Sequence, residues 1–200
     1  MSTVRGIDVA NFFIDVINSD EEGSVTNLQL NKIVFFAQAW SLVLKNKPLF
    51  DEDFRAWDYG PVLPSIYHKF KDNGKQYIAR VSDNIFEDVF DSETIDLLLD
   101  VYREYSKYSA TELVNLTHVK GGVWDQIRSK NKKKKNEIIP KDLIKEYYSK
   151  QPKLKEWTLP EFSKEDYVGY FNEEGMTVLP ADWDEDGEYW DEQAKKCGIL

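Results

Sequence analysis

The sequence predicts a mainly α-helical domain followed by an acidic, aromatic-rich C-terminal extension. Apolar residues recur at helical spacing through most of residues 1–150, whereas the alternation typical of strands is nearly absent. A hydrophobic fraction of 42% in 200 residues is enough for a buried core. We therefore expect a compact multi-helix domain over residues 1–150, with at most a short β-hairpin. We expect residues 151–200 to pack on that domain or on a partner.

The helices of the first part follow from apolar spacing and from start signals. Apolar residues at helical spacing predict a first helix over about 4–18. Thr26 and Gln29 form a capping-box pattern, which opens the strongest predicted helix, over about 27–45. Because that helix is apolar around most of its circumference, we expect it to be central and buried on several sides.

The stretch from Trp57 to Pro64 contains two aromatics, a glycine and two prolines. Gly60-Pro61 indicates a turn, because glycine tolerates unusual φ values and proline fixes its own φ. Pro64 suits the first position of a helix. The stretch therefore predicts a short extended segment that turns sharply into a helix ending near residue 71.

The second part of the domain continues the helical pattern. Residues 76–90 are ambiguous, and Tyr77, Ile78 and Val81 there are compatible with a short strand. Ser109 and Glu112 form a second capping box. Apolar spacing and start signals predict helices over about 92–107, 110–116 and 140–149, with one or two further helical turns over 123–127.

Charge separates the chain into two zones. Residues 151–200 contain five lysines against 13 carboxylates, a net −8, whereas residues 1–150 carry only −2 of the total −10. Acidic residues interleaved with aromatics suit a basic protein surface, because aromatics anchor and charges steer; the alternative is a structural layer that closes the helical domain. The candidate partner-binding residues are Trp57 and Tyr59 in the domain and Trp157, Tyr170, Trp183, Asp184, Asp186 and Trp190 in the extension.

A basic run from Arg128 to Lys135 has six basic residues in eight. Such a run can contact phosphates, but the net charge of −10 opposes general affinity for nucleic acid. The candidate nucleic-acid contacts are Arg128, Lys132, Lys133 and Lys134. An intramolecular alternative is that this run docks the acidic extension.

No catalytic or metal-binding pattern emerges from the sequence. The two histidines, His68 and His118, have no zinc-ligand spacing, and no phosphate-binding loop is present. His118 follows a predicted helix, where it would satisfy the last carbonyls. Asp182 to Gly187 matches the first half of an EF-hand loop, but Gln193 replaces the required glutamate. We therefore expect no enzyme activity, no cofactor and no metal.

The composition also bounds the compartment. The lone Cys197 cannot form an internal disulfide, which fits a reducing, cytoplasmic setting. No stretch approaches the ~18 apolar residues of a membrane span, and the first residues resemble neither a signal peptide nor an anchor. We expect a soluble cytoplasmic protein without membrane contact.

Three sequence blocks form a combined signature: Leu28–Trp40 with Lys47–Phe50, Ala56–Tyr67, and Tyr108–Leu113 with Leu116-Thr117-His118 and Trp124. Together these blocks resemble the Panacea (SocA-like) antitoxin domain, a phage-associated protein family. The family commonly has Gln where Asn31 stands and Tyr where Phe35 stands. The resemblance implies a mostly helical, non-enzymatic domain that binds and neutralises a cognate toxin. It also implies an alternative role, as an adaptor that delivers its partner to a Clp-type protease.

Overall fold

The computed structural model describes residues 4–20, 23–80, 86, 89–130, 136–152 and 154. These residues form seven α-helices, a 3-10 turn and three short strands. The helices are α1 (Gly6–Ile17), α2 (Asn27–Leu44), α3 (Pro64–Phe70), α4 (Ser92–Tyr105), α5 (Ala110–Thr117), α6 (Val123–Lys130) and α7 (Lys141–Tyr148). The strands are β1 (Arg55–Trp57), β2 (Gly60–Val62) and β3 (Glu137–Ile138), and the 3-10 turn is Lys71–Asn73. The predicted mainly α fold is confirmed.

Helix α2 is the centre of the domain, as its apolar circumference predicts. Its capping box is present: the Thr26 side chain accepts from the Gln29 amide, and the Gln29 side chain accepts from the Thr26 amide at 3.1 Å. Helices α1, α3, α4, α5 and α7 and strand β2 all pack against it. The domain is therefore organised around one buried helix.

Aromatic side chains fill the space between α2 and its neighbours. Phe36 stacks on Tyr105 of α4 with ring centroids 4.0 Å apart and an interplanar angle of 7°. Trp40 donates its indole N–H to the Tyr105 hydroxyl at 3.0 Å. Tyr148 of α7 packs edge-on against both Phe36 and Trp40. These contacts join α2, α4 and α7 through one cluster of aromatic side chains.

The strands form one small antiparallel sheet of order β2-β1-β3. Strands β1 and β2 are the hairpin formed by the Gly60-Pro61 block, with Trp57 opposite Gly60. Strand β3, only two residues long, adds to the other side of β1, with Arg55 opposite Ile138. Pro64 then occupies the start of α3, as its position predicts.

The segment around Tyr77 and Ile78, which the sequence left ambiguous, does not form a strand in the described residues. Residues 77–80 have no strand pairing. The Ile78 amide donates to the Val25 carbonyl at 2.9 Å, and its own carbonyl accepts from the Asn18 side chain at 3.0 Å. The backbone of Ile78 therefore bonds to a loop and a helix end rather than to a strand, while its side chain enters the core. Val81 lies outside the described residues.

The C-terminal end of the described chain still belongs to the core. Leu154 is 2% exposed and lies in the same apolar cluster as the aromatic residues of α2 and α7. Apart from Gln151, Pro152 and Leu154, the predicted extension lies outside the described residues, and the boundary near residue 150 stays a prediction.

Gln38 ties the loop after α2 to that helix. It is fully buried; its amide oxygen accepts from the amides of Leu49 (2.7 Å) and Phe50 (3.4 Å), and its amide nitrogen donates to the Phe50 carbonyl (2.9 Å). We expect Gln38→Leu to lower the free energy of unfolding by about 2 kcal/mol, because it leaves buried backbone groups unpaired. Urea denaturation measures this.

A matched control is Gln126→Leu. Gln126 is half-buried and donates to Gly121 O at 2.9 Å on the surface. Its replacement should change stability by less than about 0.5 kcal/mol. Equal losses in the two variants would contradict the role assigned to Gln38.

Candidate functional site: the hairpin corner

The β1–β2 hairpin packs closely onto a buried polar cluster, here named the hairpin corner. Its members are Lys32 of α2, Gly60 of β2, Thr117 and His118 at the end of α5, and Trp124 of α6. Gly60 has φ of +98°, and a Cβ there would lie 2.5 Å from Thr117 Oγ1 and 3.1 Å from Lys32 Cε. The close approach of hairpin and helices therefore requires glycine at this position.

Lys32 is a buried amine within the hairpin corner. Its exposure is 0%, and its Nζ donates to the Pro61 carbonyl of β2 at 3.0 Å. Within the described residues, no carboxylate lies within ion-pair distance of this amine. Burial lowers the pKa of Lys32 to about 7. An ammonium has three N–H donors, and within the described residues this amine bonds to one acceptor, the Pro61 carbonyl.

His118 is the C-cap of α5, as its place in the sequence predicts. Its Nδ1 lies 2.8 Å from the Val114 carbonyl and its Nε2 lies 3.2 Å from the Asp58 carbonyl in the hairpin turn. Burial lowers the pKa of His118 to about 4; the positive charges of Lys32 and Arg128 add to this, while the two carbonyls oppose it. A neutral imidazole has one N–H, so it donates to only one of the two carbonyls at a time.

An ion pair closes the rim of the hairpin corner. Arg128 of α6 contacts the Asp58 carboxylate at 2.6 Å, and each side chain is only 16% exposed. The Trp124 indole donates to the Trp57 carbonyl at 2.7 Å, and the Trp57 indole donates to Asn136 Oδ1 at 2.7 Å. Helix α6 and the segment before β3 are thereby joined to the hairpin.

Three of the residues that the sequence proposed as partner or nucleic-acid contacts lie in the part of the chain that the structure describes. Trp57 is 1% exposed and packs edge-on against Tyr67, so it is a packing residue in this conformation. Tyr59 is half-buried in the hairpin turn. Arg128 forms an ion pair with Asp58. Its guanidinium would have to leave this pair to contact a nucleic-acid phosphate. The other proposed contacts, Trp157, Tyr170, Trp183, Asp184, Asp186, Trp190, Lys132, Lys133 and Lys134, lie outside the described residues.

Two polar residues near His68 in the sequence, Ser65 and Asp58, bond to other side chains in the described structure. Ser65 donates its hydroxyl to Glu52 at 2.6 Å, and Asp58 pairs with Arg128. The described part of the chain also contains no group of three metal-ligating residues. Among its helices, none is long and apolar enough to cross a membrane.

Sequence reasoning missed Lys32. The residue lies inside the long, largely buried helix α2, and that position is the sequence signal of its burial. It also missed the contact between Gly60 and Thr117, which are distant in the chain. A turn was predicted at Gly60-Pro61, but the structure has it at Asp58-Tyr59, and Gly60 and Pro61 belong to β2. The packing partner of Gly60 was not predicted.

The fold and the hairpin corner define a small helical domain in which a hairpin is locked onto a central buried helix. Residues 30–125 match the family model described as "Antitoxin SocA-like, Panacea domain". All five residues of the hairpin corner lie inside the matched segment. The resemblance predicted from the sequence is confirmed.

One curated protein is also similar to this chain. The protein named Antitoxin SocA of Caulobacter vibrioides (strain NA1000 / CB15N) is 33% identical over 114 residues. The alignment covers 52% of this chain and 60% of that relative, which is less than two thirds of its length. Comparison with solved structures returned no match.

Proposed function

We propose that this chain is an antitoxin that neutralises a partner toxin protein by direct, non-catalytic contact. The observation that carries the proposal is the match of residues 30–125 to the SocA-like Panacea domain. The identity to a protein named as an antitoxin supports the same class of function. The cytoplasm is the proposed location, because the one cysteine of the chain fits a reducing compartment.

In this proposal the Panacea domain is the scaffold and the acidic extension contributes to toxin specificity. The extension lies beyond the matched segment and carries a net −8 within 50 residues that are rich in Trp and Tyr. Aromatic side chains commonly anchor protein interfaces, and complementary charge accelerates association. A basic surface on the toxin is therefore the expected counterpart.

Removing the extension tests this part of the proposal. The truncated chain should end after Leu154 rather than at residue 150, because Leu154 is buried in the core. We expect the truncation to weaken binding of the partner toxin, to be sought among the products of neighbouring genes, at least tenfold, because it removes aromatic anchors. Calorimetric titration of the two purified forms measures the change. Equal affinity of the two forms would remove the extension from the mechanism.

Point variants of the full chain test whether the acidic charges of the extension speed association, without removing any part of the fold. Asp184→Asn with Asp186→Asn should slow association and reduce its salt dependence. Asp72→Asn with Asp142→Asn removes the same charge from exposed sites on the domain and should leave association unchanged. Slowing by both pairs alike would indicate a general effect of net charge rather than a contact made by the extension.

The protease-adaptor alternative makes a different prediction for cells. Direct neutralisation leaves the toxin present in a stable complex, whereas delivery to a Clp-type protease lowers the amount of toxin. Toxin abundance with and without this chain therefore distinguishes the two mechanisms.

A further inference from the structure

Two buried basic groups hold the β1–β2 hairpin in place. Lys32 in α2 donates from Nζ to the Pro61 carbonyl of β2, at 3.0 Å. His118, the cap of α5, places Nε2 3.2 Å from the Asp58 carbonyl in the turn. Each contact joins a helix to the hairpin backbone, and both groups can take up a proton.

The surroundings of this pair do not accommodate added positive charge. Among the residues that the structure describes, the charged groups beside it are Asp58 in the turn and Arg128 on α6, and these neutralise each other at 2.6 Å. Asp125 is also on α6, and its carboxylate accepts a hydrogen bond from the Gly121 amide rather than from Lys32 or His118. A proton on Lys32 or His118 would therefore place an uncompensated charge in a buried site, which strongly favours its exposure to water.

We propose that the β1–β2 hairpin is a proton-sensitive latch, closed while Lys32 and His118 are uncharged and opened locally when either takes up a proton. Opening separates Pro61 and Asp58 from the two helices and gives the charged groups access to water. It also uncovers Trp57, which is buried in the closed hairpin. This property does not depend on the antitoxin function.

Two pH windows follow from the two groups. In the closed hairpin burial lowers the pKa of Lys32 to about 7, whereas in water an amine titrates near 10. The open form therefore gains a proton that the closed form lacks between about pH 10 and 7, and its population rises up to ~10-fold for each pH unit of decrease. His118, with a buried pKa of about 4, gives a second window between about pH 6.5 and 4.

Hydrogen exchange of the full chain, followed by mass spectrometry between pH 5 and 9, tests the latch. After correction for intrinsic exchange rates, we expect the protection factors of amides in residues 55–62 to fall up to ~10-fold per unit from pH 9 to 7. Amides of α2 should stay more strongly protected, because the opening is local. Hairpin protection that is independent of pH, or equal to that of α2 at every pH, would overturn the proposal.

Substitutions assign each window to its group. In Lys32→Met, hairpin protection should no longer change with pH above 7 but should still change between about pH 6.5 and 4. In His118→Gln, the change above pH 7 should remain and the lower one should be lost. Lys69→Met, an exposed lysine on α3, should behave as the wild type. Persistence of the upper window in Lys32→Met would overturn the assignment. The wild-type profile alone decides the proposal if a variant fails to fold.

Discussion

Replacing Gly60 with alanine is expected to destabilise the domain by about 3 kcal/mol. The backbone φ of +98° is unfavourable for any L side chain. The added methyl group would also lie 2.5 Å from Thr117 Oγ1, far inside contact distance. Thr117 cannot easily yield, because it is β-branched, buried and bonded to the Val114 carbonyl at 2.8 Å. Urea denaturation of the full chain measures the loss.

Gly121→Ala is the matched control for this prediction. Gly121 has a similar φ of +74°, but a Cβ there would meet no atom within 4 Å. The control variant therefore has the backbone strain of a positive φ but no steric overlap of the new methyl group. We expect it to lower the free energy of unfolding by about 1 kcal/mol. If both alanine variants lose the same stability, the close packing of the hairpin corner is not what requires glycine at position 60.

Replacing Lys32 with methionine is expected to stabilise the domain by about 2 to 4 kcal/mol at pH 7. The substitution leaves an unbranched side chain only one heavy atom shorter and removes an amine that is costly to charge in the core. In the wild type burial lowers the pKa of Lys32 to about 7, whereas the unfolded chain keeps this proton up to about pH 10. The unfolded state thus binds more protons between these values, and wild-type stability should rise with pH there.

The measurement is the free energy of unfolding as a function of pH, from about 6.5 to 9.5. The wild type should gain up to roughly 1.4 kcal/mol per pH unit above pH 7, and Lys32→Met should lack that gain. Lys69→Met, a change on the exposed surface, should follow the wild-type curve. A Lys32→Met curve that is parallel to the wild type and lies below it would show that the amine is charged and stabilising.

Elements with local signals were predicted well from the sequence. The capping boxes at Thr26 and Ser109 form as predicted, because they involve side chains only three residues apart. Pro64 begins α3 because its fixed φ matches the first helical position. His118 caps α5 for a similarly local reason, at a helix end with unpaired carbonyls.

The features that were missed depend on contacts between distant parts of the chain. Strand β3 is two residues long, too short for a periodic pattern, and it exists because Ile138 pairs with Arg55. The backbone of Ile78 finds its partners at Asn18 and Val25, which no local pattern indicates. The burial of Lys32 likewise results from the hairpin that folds over it.

Rescue of growth tests the central claim most directly. The protein encoded beside this gene is induced in cells with and without an equal amount of this chain, and growth is followed. The antitoxin proposal predicts that the neighbouring protein arrests growth alone and that the full chain restores it. Continued arrest with the folded full chain present would contradict the proposal.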